Sequence, residues 1–144
     1  MIRILLCCGG GFSSSAMAKH MQDEIIAQHM EDEVSVEYYP FTLAYRVLDQ
    51  KDVIVCCPHL RPEIPVFMKE HDVKIPLYIL PTRMYGMMKI SEIYEDVKDV
   101  LQIYKETGMN PVHFPNEPNP LTLKRYNSYR KTYGDYHLVE EKKK

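Results

Sequence analysis

Tryptophan is absent from the 144 residues, and only six glycines are present, three of them consecutive at Gly9-Gly10-Gly11. That cluster marks the one place where the backbone is built to curl freely. No excess of charge of one sign exists: 18 lysines and arginines face 20 acidic residues, for a net charge of -2. Such a balance gives no electrostatic case for nucleic acid or an acidic membrane surface as partner. No apolar run approaches the ~20 residues that span a bilayer, so direct membrane insertion is not expected. The stretch Ile2 to Cys8 holds one basic residue before glycines interrupt it, which does not read as a signal peptide. The four cysteines fall in two adjacent pairs, Cys7-Cys8 and Cys56-Cys57. Neighbours on a strand point to opposite faces, so neither pair is a natural disulfide, and a reducing, cytoplasmic location is expected.

What is present reads as one globular domain with a proper core, at 45% hydrophobic and 26% charged residues. Four runs rich in β-formers stand out: Ile2 to Cys7, Val34 to Tyr39, Val53 to Cys57 and Ile75 to Leu80. Helical patterns lie between them. Met17, Met21 and Ile25 recur at steps of four from about Ala16, with Ile26 widening the stripe, and this reads as core packing. A short helix is expected from Thr42, a possible N-cap, to Leu48, and another from Pro62. Ile90, Ile93, Tyr94, Val97, Val100, Leu101 and Tyr104 form one apolar face, with Gly108 as the stop. The order β-α-β-α-β-α-β-α predicts an α/β fold: a four-stranded parallel sheet, order 2-1-3-4, with helices on both faces and an irregular C-terminal extension. Ligands are expected at the carboxyl ends of its strands.

Cys8 stands at such an end. After it come Gly9, Gly10, Gly11, Phe12, Ser13, Ser14 and Ser15, leading into a helix. Glycines let successive N–H groups face one concavity, and a helix N-terminus adds partial positive charge, which together suit a tetrahedral dianion. A thiol beside that cradle is expected to ionise readily and act as a nucleophile. Cys8 is therefore the candidate phosphoryl acceptor and residues 9–15 the candidate phosphate-binding loop, with no metal and no cofactor required. Cys7 reads as a small core residue.

The layout resembles the IIB component of the lactose/cellobiose (chitobiose) branch of the bacterial phosphoenolpyruvate-dependent sugar phosphotransferase system. That family's loop reads approximately Cys-x-x-Gly-Met/Phe-Ser-Thr/Ser-Ser after the first strand, and Cys8, Gly11, Phe12, Ser13, Ser14 and Ser15 fill the pattern in register. The resemblance extends over roughly residues 1–106, through Pro58-His59 and Tyr85-Gly86. It implies that Cys8 takes a phosphoryl group from a phosphohistidine on a IIA donor protein and passes it to a sugar, of the β-linked disaccharide class, held in a membrane IIC permease. A cytoplasmic protein recruited peripherally to that permease is implied as well. Cys7 and the Gly9-Gly10 pair depart from the pattern, as does the chain beyond Met109, and these bear on partner and substrate rather than on the chemistry. The alternative is a non-catalytic regulatory or interaction domain that keeps the fold.

Rival readings of the loop fail on particular residues. A tyrosine-phosphatase-like loop needs arginine six positions past its cysteine, where Cys8 has Ser14 and Cys7 has Ser13. A dinucleotide fingerprint needs a third glycine where Ser14 stands. A zinc site from Cys7, Cys8, Cys56 and Cys57 is disfavoured because tetrahedral sites rarely use vicinal pairs on strands. His59 reads as an exposed loop histidine and Tyr85-Gly86 as a turn at the same end. The division expected is a IIB-like phosphocysteine domain over 1–106, followed over 107–144 by a proline-rich connection and a tail rich in tyrosine and lysine. That tail, with Tyr126, Tyr129, Tyr133 and Tyr136 among basic residues, is expected to pack on the domain or on a neighbouring subunit, although the segment after Met109 is placed outside the core.

Overall fold

The structure, a computed structural model, describes residues 1–8, 12–81, 84, 89–114, 117 and 127–133, with residues 8, 12–17, 130 and 133 described by their backbone. Strands β1 (Ile2–Cys8), β2 (Val34–Pro40), β3 (Val53–Cys56) and β4 (Leu77–Ile79) form one sheet in the order β2-β1-β3-β4. All three pairings are parallel. The strand order and the fold class read from the sequence are those observed.

Alternation along the strands divides the core in two. Ile4, Leu6, Val34, Val36, Val53, Val55, Tyr78 and Leu80 pack under α1 (Phe12–Ala27) and α3 (Ile90–Thr107). Leu5, Cys7, Ile54, Cys56 and Leu77 pack on the other face under a 3-10 turn (Phe41–Arg46) and α2 (Ile64–Glu70). A period of two sends successive side chains to opposite layers, so helices on both faces make every residue of β3 buried.

Several local expectations are corrected. Helix α1 starts at Phe12, four residues before the apolar stripe at Ala16, and Ile26 is 59% exposed rather than part of that stripe. Strand β1 runs through Cys8, which pairs with Pro40, so Cys8 closes the strand instead of beginning the turn. The segment at Thr42 forms 3-10 turns at Phe41–Arg46 and Leu48–Gln50, and no side chain caps the first of them. Pro40 holds the entry residue at φ -58 and ψ 141, which starts the turn one residue before Thr42. The expected helix at Pro62 opens as a 3-10 turn, Pro58–Glu63, and α2 proper begins at Ile64. Strand β4 is shorter than the run from Ile75 to Leu80. Helix α3 ends as read: Gly108 takes φ 72 and its N–H donates to the Tyr104 carbonyl at 2.8 Å.

The larger correction concerns the chain after Met109, which enters the core. Asn110 Oδ1 accepts from the Leu77 N–H at 2.8 Å, and its Nδ2 donates to the Ile75 carbonyl at 2.9 Å. The Val112 N–H then donates to the Leu77 carbonyl at 2.8 Å, and Val112 bridges Tyr78 in parallel. One amide side chain and one backbone bridge thus cover the β4 edge, where unpaired polar groups would otherwise face solvent. Beyond it Phe114 and Tyr129 stack at 4.5 Å, both fully buried, with Tyr78 edge-on to Phe114 at 5.7 Å.

Helix α4 (Tyr129–Tyr133) is fixed by carboxylates of α3. The Ser128 N–H donates to Glu92 Oε1 at 2.8 Å and the Tyr129 N–H to Asp96 Oδ1 at 2.7 Å. Asp96 Oδ2 also accepts from the Tyr78 hydroxyl at 2.8 Å, Ser128 Oγ donates to Glu95, and Lys131 Nζ meets Glu92 Oε2 at 3.1 Å. Ser128 caps the helix by accepting from the Lys131 N–H at 3.2 Å. The N–H groups of Ser128 and Tyr129, at the start of this one-turn helix, thereby receive acceptors from another element.

Candidate functional site

A parallel sheet exposes its strand ends asymmetrically. Because β2 and β3 flank β1 on opposite sides, the crevice beyond the carboxyl ends of β1 and β3 is the topological switch point. Cys8 ends β1 at this crevice. The ladder beside it continues past the paired residues Cys7 and Cys56: the Cys57 N–H donates to the Cys7 carbonyl at 3.1 Å. Pro40, paired with Cys8, ends β2, and Leu80 donates to the Cys56 carbonyl at 2.9 Å just past β4.

Helix α1 begins four positions after Cys8, so the first-turn N–H groups of Phe12, Ser13, Ser14 and Ser15 lie on the return from that strand end. These leading N–H groups have no intrahelical acceptor. The first turn carries no acidic residue, so none of its own side chains opposes an anion at this helix end. Gly9, Gly10 and Gly11, read from the sequence as the rest of the cradle, lie outside the described residues, as do Tyr85 and Gly86.

The other cysteines sort by layer. Cys7, Cys56 and Cys57 are buried thiols within the layer of Phe41, Leu60 and Phe67. Burial of Cys7 agrees with its reading as a small core residue. His59 is exposed in the turn after Cys57. Among the described residues no group of three or more His, Cys, Asp or Glu side chains is placed to hold a metal ion. No described helix is long and apolar enough to cross a membrane.

Sequence reasoning set Cys56 and Cys57 beside Cys7 and Cys8 only as a disfavoured zinc site, and the register pairs Cys7 with Cys56. It passed over Glu92, Asp96 and Asp99, which are buried on α3. Their spacing places acids among the apolar face of Ile93, Val97 and Val100, where a carboxylate needs a donor.

The family model for the lactose/cellobiose-specific IIB subunit of the PTS system matches residues 3–96. No curated protein sequence matches the chain. Among solved structures, the cellobiose-specific phosphotransferase IIB component protein from Borrelia burgdorferi shares 23% identity at a TM-score of 0.56, covering 71% of this chain and 93% of that one. The lactose-specific IIB component domain from Streptococcus pneumoniae shares 16% identity at a TM-score of 0.41, covering 75% and 98%. The first of these supports the fold.

Proposed function

Because the chain belongs to the lactose/cellobiose-specific IIB subunit family, whose members are phosphotransfer domains of the sugar phosphotransferase system, we propose that it is a cytoplasmic phosphocarrier working through Cys8. The thiolate of Cys8 attacks the phosphorus of a phosphohistidine on a IIA donor. An S–P bond forms as the P–N bond breaks, and the imidazole nitrogen leaves with the electron pair. In the second step a hydroxyl of a sugar bound in a membrane IIC permease attacks the phosphocysteine, and the thiolate leaves. The sugar is of the β-linked disaccharide class. The protein meets the permease as a peripheral partner, in keeping with its lack of a membrane-spanning helix among the described residues.

One observation carries this reading: Cys8 ends β1 at the switch point, four residues before a sixteen-residue helix whose first turn holds no acid. Transfer through a loose transition state needs positioning and charge complement more than covalent assistance. The N–H groups of residues 9–15, with the hydroxyls of Ser13, Ser14 and Ser15, supply that complement without a metal.

The test is intact mass after incubation with a phosphorylated IIA protein. Wild type is expected to gain one phosphoryl group, labile in the manner of a thiophosphate. Cys8→Ser is expected to gain none, because a serine hydroxyl is far less ionised. Cys7→Ser is expected to retain acceptance, at a stability cost of roughly 1–3 kcal/mol for its buried hydroxyl. Uptake by Cys8→Ser, or a phosphoryl group mapped to Cys7, overturns the assignment. Failure of the folded wild type to accept from any such donor favours a non-catalytic interaction domain.

A further inference from the structure

We infer that the cavity between α2 and the chain after Met109 is a binding site for a small organic anion with an apolar body, separate from Cys8 and independent of the phosphocarrier reading. The cavity measures about 690 Å³, within the range of roughly 300–1,000 Å³ of small-molecule pockets. It lies along the β4 edge, where the two core layers meet. Ile64 and Met68 of α2 and Ile79 of β4 form one wall, and Val112 and Phe114 form the other. The second wall lies beyond residue 96, where the family match ends, so a ligand held here ties that part of the chain to the sheet.

These walls are preformed. Pro62 and Pro65 frame one side and Pro111 the other, each with a fixed φ. The second wall is held to β4 by the Val112 N–H, which donates to the Leu77 carbonyl, and by the Asn110 amide, which bonds to Leu77 and Ile75. Pro62 and Pro65 are exposed, and Met68 and Ile79 are half-buried. A ligand can therefore cover apolar surface here without unfolding any element.

The polar residues of the lining select the charge. Both ends of the Asn110 amide are used on β4. His113 Nδ1 lies 2.9 Å from the Phe114 carbonyl and is used there. Glu117 is buried and already interacts within the chain. Arg61 differs, because it is exposed and its guanidinium has no hydrogen bond or ion pair to any described residue. A guanidinium is weakly hydrated and pairs with a carboxylate through two parallel N–H···O bonds. An apolar cleft with one unengaged guanidinium suits a molecule with a hydrophobic ring and one carboxylate.

The experiment titrates full-length protein with naphthoate and follows backbone amide shifts, with naphthylmethanol and naphthylmethylammonium as neutral and cationic counterparts. Shifts are expected to centre on Met68, Ile79, Val112 and His113, with a Kd of roughly a millimolar or below. The carboxylate is expected to bind about tenfold or more tightly than the alcohol, and the ammonium more weakly than either. Arg61→Met, a change at an exposed position, is expected to erase the preference for the carboxylate and to leave the weak binding of the alcohol. Absence of shifts, shifts centred elsewhere, tighter binding of the ammonium, or a preference that survives in Arg61→Met overturns the inference. Shifts of the same residues on dilution of the ligand-free protein would place a second copy in the cavity and overturn it as well. No phosphoryl donor enters the measurement, so its outcome leaves the role of Cys8 untouched.

Discussion

Arg3 and Asp52 show how one residue pair serves the sheet at the end away from the site. The Arg3 N–H donates to Asp52 Oδ2 at 2.7 Å, its Nε to the same oxygen at 3.1 Å and its Nη2 to Oδ1 at 3.1 Å, while the Asp52 N–H returns a bond to the Arg3 carbonyl at 2.9 Å. This forked arrangement joins the starts of β1 and β3. The side-chain hydrogen bonds from Arg3 hold the Asp52 carboxyl below its ordinary value, against the opposing effect of partial burial. A carboxylate with a depressed folded pKa stabilises above its unfolded pKa and loses that contribution as pH falls through the folded value. Wild type is therefore expected to exceed Asp52→Asn in urea midpoint at neutral pH, by a modest amount because the pair is solvent-screened. The gap is expected to close as pH drops below about 4, the unfolded value. A gap that stays constant to acid pH would show that the ionised carboxylate contributes nothing.

At the scale of elements, the docking of α4 on α3 replaces an apolar seam with a polar one. Asp96 accepts from the Tyr78 hydroxyl and the Tyr129 N–H, both inside the core. Asp96→Ala removes the acceptor of two buried hydrogen bonds and is expected to cost roughly 1–3 kcal/mol for each. Tyr129→Ala removes the ring stacked on Phe114 and is expected to cost about 3–5 kcal/mol. Combining the two is expected to cost less than their sum, because both act on the same contact; additive urea-derived values would refute that coupling. This seam also marks where the sequence could be read and where it could not. The β3 run Val53–Cys56 announced a central strand because it is apolar at every position, and α3 announced itself by its 3.6-residue period. The role of Asp96 was hidden because its partners lie 18 and 33 positions away. Thr42 was misread because the turn opens at Phe41 with Pro40 at its cap, which puts Thr42 inside it rather than before it. At the candidate site, the succession of strand, loop and helix was legible in Cys8 to Ser15, but the last residue of β1 and the first of α1 were not. The pairing of Cys7 with Cys56 follows from strand register, which local patterns do not encode.

For the whole molecule, the family match ends at residue 96 while the core continues to Tyr129. We propose that residues 1–106 form the IIB-like unit and 107–144 an appended connection and tail, of which Asn110 to Tyr133 includes the part that closes the β4 edge. Proline density suggested from sequence that this segment stays out of the core. Proline bars it from a sheet interior, yet the edge needs only the Asn110 amide and the single Val112 bridge, both compatible with neighbouring prolines. The prediction follows from the buried side chains. Val112, Phe114 and Tyr129 together contribute on the order of 5 kcal/mol by burial of apolar surface. That is a large share of the 5–15 kcal/mol, or about that, that holds a domain folded. A chain ending at residue 106 is expected to show a markedly lower urea midpoint than the full chain. Far-ultraviolet circular dichroism on the two forms measures this directly. Equal midpoints for the 1–106 chain and the full chain would mean that the edge strap decorates the sheet without supporting it.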